Sequence, residues 1–155
     1  MFESGIRRAT GDDLDALVAI EQACFEPPCC YSRRQFSALL ASKHSLCLVE
    51  EGEGRMRGFV IVRFRAGSRT AHVETLDVDG AWRGRGIARR LLAAAEEACR
   101  ERGMHRLQLE VSTGNARALA LYEKVGYRRV EAITDYYQFP HHGSRDVYRM
   151  VKELT

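Results

Sequence analysis

The stretch from Glu74 to Gly103, ETLDVDGAWRGRGIARRLLAAAEEACRERG, constrains the fold more than any other part of the chain. Thr75 to Asp79 is a short run with β-formers, closed by Gly80. Beyond it Ile87, Leu91, Leu92, Ala95, Ala98 and Cys99 recur at helical spacing, which gives one apolar stripe. Glu96 and Arg100 are expected as an i,i+4 ion pair on the opposite side, and Gly103 stands where a helix-ending glycine belongs. The stretch is therefore a strand, a tight turn and a long helix.

The turn is Arg83-Gly84-Arg85-Gly86-Ile87-Ala88. The first amides of a helix lack an intrahelical acceptor and sit at the positive end of its dipole. Glycines let the backbone come close to an anion, and arginines add charge, so the turn is built as a phosphate seat. It is not a Walker loop, which needs Lys-Ser/Thr after its second glycine. It also lacks the three spaced glycines and distal acid of a dinucleotide loop. A plain strand-to-helix turn with solvated arginines is the alternative that these six residues leave open.

At 155 residues the chain is one domain, 1–155, large enough to bury a core without staples. The net charge of +3 is too mild for a nucleic-acid binder, and part of it sits in the one arginine loop. No apolar run is long enough to span a membrane and no signal-peptide pattern opens the chain, so a cytoplasmic protein is expected. The 5 cysteines match no zinc spacing, so no metal is expected. Cys24, Cys47 and Cys99 fall at apolar positions as small core residues, and adjacent Cys29–Cys30 do not suit an ordinary disulfide.

Taken in order, residues 5–9 make a first strand, and Thr10 or Asp12 caps a helix carrying Leu14, Leu17, Val18 and Ile20. Pro27-Pro28 opens a loop through Tyr31, and Ser32 caps a second helix. Residues 45–50 and 57–65 make an antiparallel pair that leads into the Glu74 strand. In 105–112, Leu107, Leu109 and Val111 alternate with Gln108 and Glu110. Asn115 caps a helix ended by Gly126, and strands at about 127–134 and 146–154 flank the aromatic loop 135–145. The sum is an α+β, three-layer (α/β-type) domain with a mixed, mostly antiparallel sheet and helices on both faces.

Arg83, Gly86 and Ala88 fit Q/R-x-x-G-x-G/A, so the turn resembles motif A of the GNAT N-acetyltransferase superfamily. Asn115, Ala118, Leu121-Tyr122 and Gly126-Tyr127 resemble that superfamily's N-x-x-A-x-x-L-Y-x-x-x-G-F/Y segment. Cys24-Phe25, Tyr31-Ser32 and Phe36 near the start, and Tyr136-Tyr137, Asp146 and Met150 near the end, are similar to the bacterial ribosomal-protein alanine N-acetyltransferases of the RimI type. That subfamily carries Trp where this chain has Tyr31, and an arginine after E-V where this chain has Ser112.

The resemblance implies the GNAT acyl-CoA N-acyltransferase fold, with splayed fourth and fifth strands, and acetyl-CoA as cosubstrate. Pyrophosphate would sit on Arg83, Gly84, Arg85, Gly86, Ile87, Ala88 and Arg89, beside Asn115. Backbone groups of Leu76, Asp77 and Val78 would hold the pantetheine, the Val78 amide would polarise the thioester carbonyl, and side-chain identity there would be nearly silent. Glu110 would be the general base, with a pKa raised by desolvation. Glu74 is its competitor, His72 a more distant one, and an arginine-paired Glu110, with Arg128 or Arg149, the plain alternative. Tyr122 would be the general acid, its pKa of about 10 close to the thiolate's value of about 8.5. Tyr31, Tyr136 and Tyr137, with the loop to His142, would line the acceptor side. The acceptor would be a protein N-terminus, with a small amine or a lysine as the alternative and a catalytically silent acyl-CoA-binding module as the third reading. Monomer and homodimer both remain open.

Overall fold

The computed structural model describes residues 5–25 and 29–154, so Pro27-Pro28 lies outside the described residues. The elements are β1 (Ile6–Arg8), α1 (Leu14–Cys24), α2 (Arg33–Ala41), β2 (Ser45–Gly52), β3 (Arg55–Phe64), β4 (Thr70–Val78), α3 (Ile87–Glu101), β5 (Arg106–Ser112), α4 (Ala116–Lys124), β6 (Arg128–Ile133) and β7 (Val147–Glu153). Short 3-10 turns at Gly11–Asp13 and Gly80–Trp82 precede α1 and α3. Thr10, not Asp12, heads the first of them. Ser32 caps α2, its hydroxyl accepting from the Gln35 N–H.

Among the described residues the strands form one seven-stranded sheet, in the order β1-β2-β3-β4-β5-β7-β6. Only β4 and β5 pair in parallel; the other pairs are antiparallel. The alternation of Leu107, Leu109 and Val111 buries all three beneath α3 and α4. A second apolar cluster, with Leu17, Phe36, Phe59 and Ile61, sits under α1 and α2 on the other face. Leu91, Leu92, Ala95 and Cys99 of α3 are almost wholly buried. At about 1.5–3 kcal/mol for each large apolar side chain removed from water, this stripe fixes α3 on the sheet. Gly58 allows that contact, because a Cβ there would stand 2.8 Å from the Asp77 carbonyl oxygen and 3.2 Å from Ile87 Cγ2.

The Glu96–Arg100 pair does not form. Glu96 lies four residues after Leu92 and three before Cys99, hence on the inner face, and is 5% exposed. It accepts from the Tyr127 hydroxyl at 2.9 Å and from Lys152 Nζ at 2.8 Å. Arg100 turns instead to Glu97 and the Leu154 carbonyl.

Parallel pairing of β4 with β5 is confined to Thr70–Arg106, Ala71–Leu107 and His72–Gln108. The ladder between β3 and β4 shifts between Ile61 and Val62, leaving Glu74 as the extra residue of a bulge. Beyond His72 it is β4 and β5 that part, while β4 stays paired with β3 through Val78. Of the five cysteines, all free, Cys47 and Cys99 are core residues, whereas half-buried Cys24 approaches the Val78 carbonyl at 3.4 Å. No helix among the described residues is long and apolar enough to cross a membrane.

Candidate active site

β4 lines two cavities at the parted strands, one with Leu76–Val78 and the other with Thr70, His72 and Glu74. The first cavity, of about 430 Å³, opens at the head of α3. Every residue expected in the phosphate seat lines it except Arg85, which lies over the Trp82 ring at 4.7 Å. Gly84 and Gly86 have φ of 79° and 78°, the left-handed region that glycine occupies without strain. Gly86 caps α3 without any side-chain acceptor, so the leading amides of that helix remain free for an anion.

The Asp79 N–H donates to the Arg57 carbonyl at 2.8 Å. By the alternation of an antiparallel ladder, the N–H groups of Val78 and Leu76 therefore point away from β3, into the gap, while the Asp77 backbone faces β3. Asp77 thus departs from the expectation of a backbone contact. Its side chain is 1% exposed, and its Oδ2 is a buried oxygen without a partner among the described residues. Trp82 Nε1, a buried donor on the same cavity wall, also lacks one.

Sequence reasoning missed Arg117 and Lys124, which bring two more cations to this wall. Their seven-residue spacing on α4, on the side of Leu121, was the available signal. Asn115 caps α4, accepting from the Ala118 N–H at 3.1 Å, and its amide meets His142 at 3.1 Å. His141 stacks on Tyr137 at 3.7 Å. Among the described residues no group of three His, Cys, Asp or Glu side chains could hold a metal ion. Tyr122 projects into the cavity from α4, and its hydroxyl has no hydrogen-bond partner among the described residues. Burial, helped by the charge of Asp77, pushes its pKa far above the usual tyrosine range, so the close match to a thiol does not hold in the free protein.

The second cavity, of about 690 Å³, is walled by residues from β3, β4, β5, β7 and three loops. At its centre His72 Nε2 meets Glu110 Oε1 at 2.5 Å, and Arg149 Nε donates to Glu110 Oε2 at 2.9 Å. The β5–β7 register places Glu110 opposite Arg149, which decides between the two candidate arginines. Burial alone would raise the Glu110 carboxyl; the hydrogen bonds from His72 and Arg149 outweigh it and hold the pKa down to about 2. The expected raised pKa is therefore not found. His72 is lifted to about 9 by Glu110 first and Glu74 second.

Glu74 accepts from the Tyr31 hydroxyl at 2.7 Å and lies 3.6 Å from both His72 Nδ1 and Arg63. Tyr136, not Tyr137, lines this cavity, its hydroxyl 3.3 Å from Glu110 Oε1. The Tyr137 hydroxyl is pushed up to about 12 by burial. The arrangement sets free amides, cations and the Tyr122 hydroxyl on one side of the gap, and two carboxylates joined by a histidine on the other.

The acetyltransferase (GNAT) family pattern matches residues 14–127. This chain belongs to the GNAT family. The domain is 35% identical over 129 residues to the N-alpha-acetyltransferase RimI of Mycobacterium tuberculosis, covering 82% of this chain and 75% of that protein. It is 35% identical over 121 residues to a mycothiol acetyltransferase of Clavibacter sepedonicus, covering 78% of this chain but 33% of that longer protein. Among solved structures, the ribosomal-protein-S18-alanine N-acetyltransferase of Escherichia coli superposes with a TM-score of 0.84 at 27% identity, covering 97% of this GNAT domain and 93% of that chain.

Proposed function

We propose that this GNAT domain transfers the acetyl group of acetyl-CoA to the α-amine of a protein N-terminus. The observation that carries the reading is that one strand, β4, walls both a cationic, amide-rich cavity and a carboxylate-rich one. The free amides at Gly86–Arg89, with Arg83, Arg117 and Lys124, suit a diphosphate and a further phosphate, and the orphan Trp82 N–H offers one more donor. When bound, the cosubstrate supplies the activated acetyl thioester. The chain supplies the rest of the chemistry.

The Leu76 and Val78 amides face the gap, where they would hold the acyl arm and draw charge onto its carbonyl oxygen. An α-amine titrates near about 7.8, so on the order of a tenth is neutral at pH 7, against under one lysine in a thousand. Glu74 and Glu110 stay ionised and attract the amine as a cation. The neutral fraction attacks, a C–N bond forms, and the nitrogen becomes a far stronger acid. Glu110 takes its proton and releases it to water in the open cavity, while His72, charged at neutral pH, holds the carboxylate in place. As the C–S bond breaks, the Tyr122 hydroxyl gives its proton to sulfur. A thiolate confined in the same desolvated cavity is also raised in pKa, which narrows the gap between donor and acceptor.

Thiol release from acetyl-CoA measures the reading directly. A peptide with an S18-type N-terminus is expected to turn over faster than polyamines, free amino acids or aminoglycosides. Turnover confined to small amines would overturn the protein-acceptor reading. Tight CoA binding with no turnover of any amine would leave only an acyl-CoA-binding module.

A further inference from the structure

Glu21 on α1 and Asp77 on β4 are both 1% exposed, and the chemistry above uses neither carboxyl group. Glu21 Oε2 accepts from the Tyr31 N–H at 2.8 Å, and Asp77 Oδ1 accepts from the Thr75 hydroxyl at 2.5 Å. The other oxygen of each, Glu21 Oε1 and Asp77 Oδ2, is buried and unpartnered. α1 packs across β4, with Cys24 meeting the Val78 carbonyl at 3.4 Å, and Glu21, one turn earlier on α1, brings its carboxyl against that of Asp77. Two ionised carboxylates cannot face each other at this depth without a large cost, and two orphan acceptors add to it. A single proton between them removes both penalties at once.

We propose that Glu21 and Asp77 share one proton in a carboxyl–carboxylate hydrogen bond, and that this bond positions the acceptor side against the thioester strand. Glu21 holds Tyr31 by its backbone N–H, and Glu74 holds the same residue by its hydroxyl. The shared proton thus ties β4 at Asp77 to the residue that orients Glu74. Several groups face Asp77: Cys24 and Glu21 from α1, Cys30 and Tyr31 beyond it, Cys47 from β2, Tyr122 from α4 and Arg83 from the turn. The Thr75 hydroxyl and the Arg83 cation favour the ionised form; burial first and the neighbouring Glu21 second outweigh them and push the Asp77 carboxyl well above the usual carboxylate range.

Infrared difference spectra between wild type and Glu21→Gln at pH 7 test the bond itself. The wild type is expected to show the C=O stretch of a buried carboxylic acid, and the variant to lose it, since a Gln amide donates to Asp77 without a shared proton. No such band in the wild type overturns the proposal. Steady-state kinetics test the positioning role. Glu21→Leu is expected to raise the acceptor KM about tenfold or more, the scale of one lost buried hydrogen bond, with the acetyl-CoA KM little changed. Glu21→Gln is expected to restore most of the acceptor KM and to respond less to alkaline pH than the wild type. An acceptor KM raised equally by Gln and Leu, or identical alkaline limbs, overturns it. If Glu21→Leu does not fold, the Gln variant and the band still decide. The band needs no acceptor, so it stands apart from the fate of the acetyltransferase reading.

Discussion

The two cavities that share β4 are built from different materials. On the side proposed for the cofactor the available groups are main-chain amides fixed by two left-handed glycines and a helix end, with cations around them. On the acceptor side they are side chains from separate strands, locked to one another by charge: Glu74, His72, Glu110 and Arg149, with Glu131 beyond. The backbone seat is indifferent to pH and depends on conformation. The ionic cluster is assembled by the strand register and depends on protonation.

The largest expected effect tests the acceptor side. Glu110→Gln is expected to lower turnover by about 10²–10³-fold, within the range for a lost general base. The acetyl-CoA dissociation constant, measured by calorimetry, should stay within about threefold, since no seat residue touches Glu110. A weakened acetyl-CoA affinity would break the separation of the two cavities. The mirror experiment is Gly86→Val. A β-branched residue resists φ near 78°, at a cost of about 1–2 kcal/mol or more, relieved only by turning the amides away. Acetyl-CoA affinity should fall on the order of a hundredfold, with the pH dependence of turnover unaltered. Between the two lies Tyr122→Phe, which should lower kcat by about 10–100-fold and leave the acetyl-CoA KM nearly unchanged. An unchanged kcat would move the acid role to another group.

The same contrast governs what could be read from sequence. The seat was legible because turn glycines, a helix start and its stripe are local signals within one stretch, 74–103. The Ser32 cap and the Asn115 cap were legible for the same reason. The state of Glu110 was not, because its partners His72 and Arg149 arrive from β4 and β7, and only the strand register brings them together. Desolvation, taken alone, gave the wrong sign. Glu96 was misplaced for a different reason: its spacing from Leu92 and Cys99 already set it on the inner face, and only its partners, Lys152 and Tyr127, are distant in sequence. Asp77 sits in a segment where the backbone carries the expected contacts, and nothing local marks the Glu21 carboxyl that faces it.

The smallest effect separates the cavities by pH alone. His72 has a folded pKa raised to about 9 from 6.5, so the stability it contributes is complete below about 6.5 and fades as pH rises towards 9. Glu110 runs the other way: lowered from 4.5 to about 2, it stabilises fully above about 4.5 and loses this as pH falls towards 2. The cluster should therefore give a plateau of stability between about 4.5 and 6.5. With His72 about a third exposed, solvent screening reduces its share to about 1–2 kcal/mol. Urea midpoints followed from pH 6 to 9.5 should fall in the wild type and stay flatter in His72→Gln. Arg83→Ala, on the cofactor side, should keep the wild-type slope, because arginine does not titrate in this window. A midpoint that climbs with pH in the wild type would mean that His72 is held neutral, and the acceptor side would lose the charge that distinguishes it from the seat.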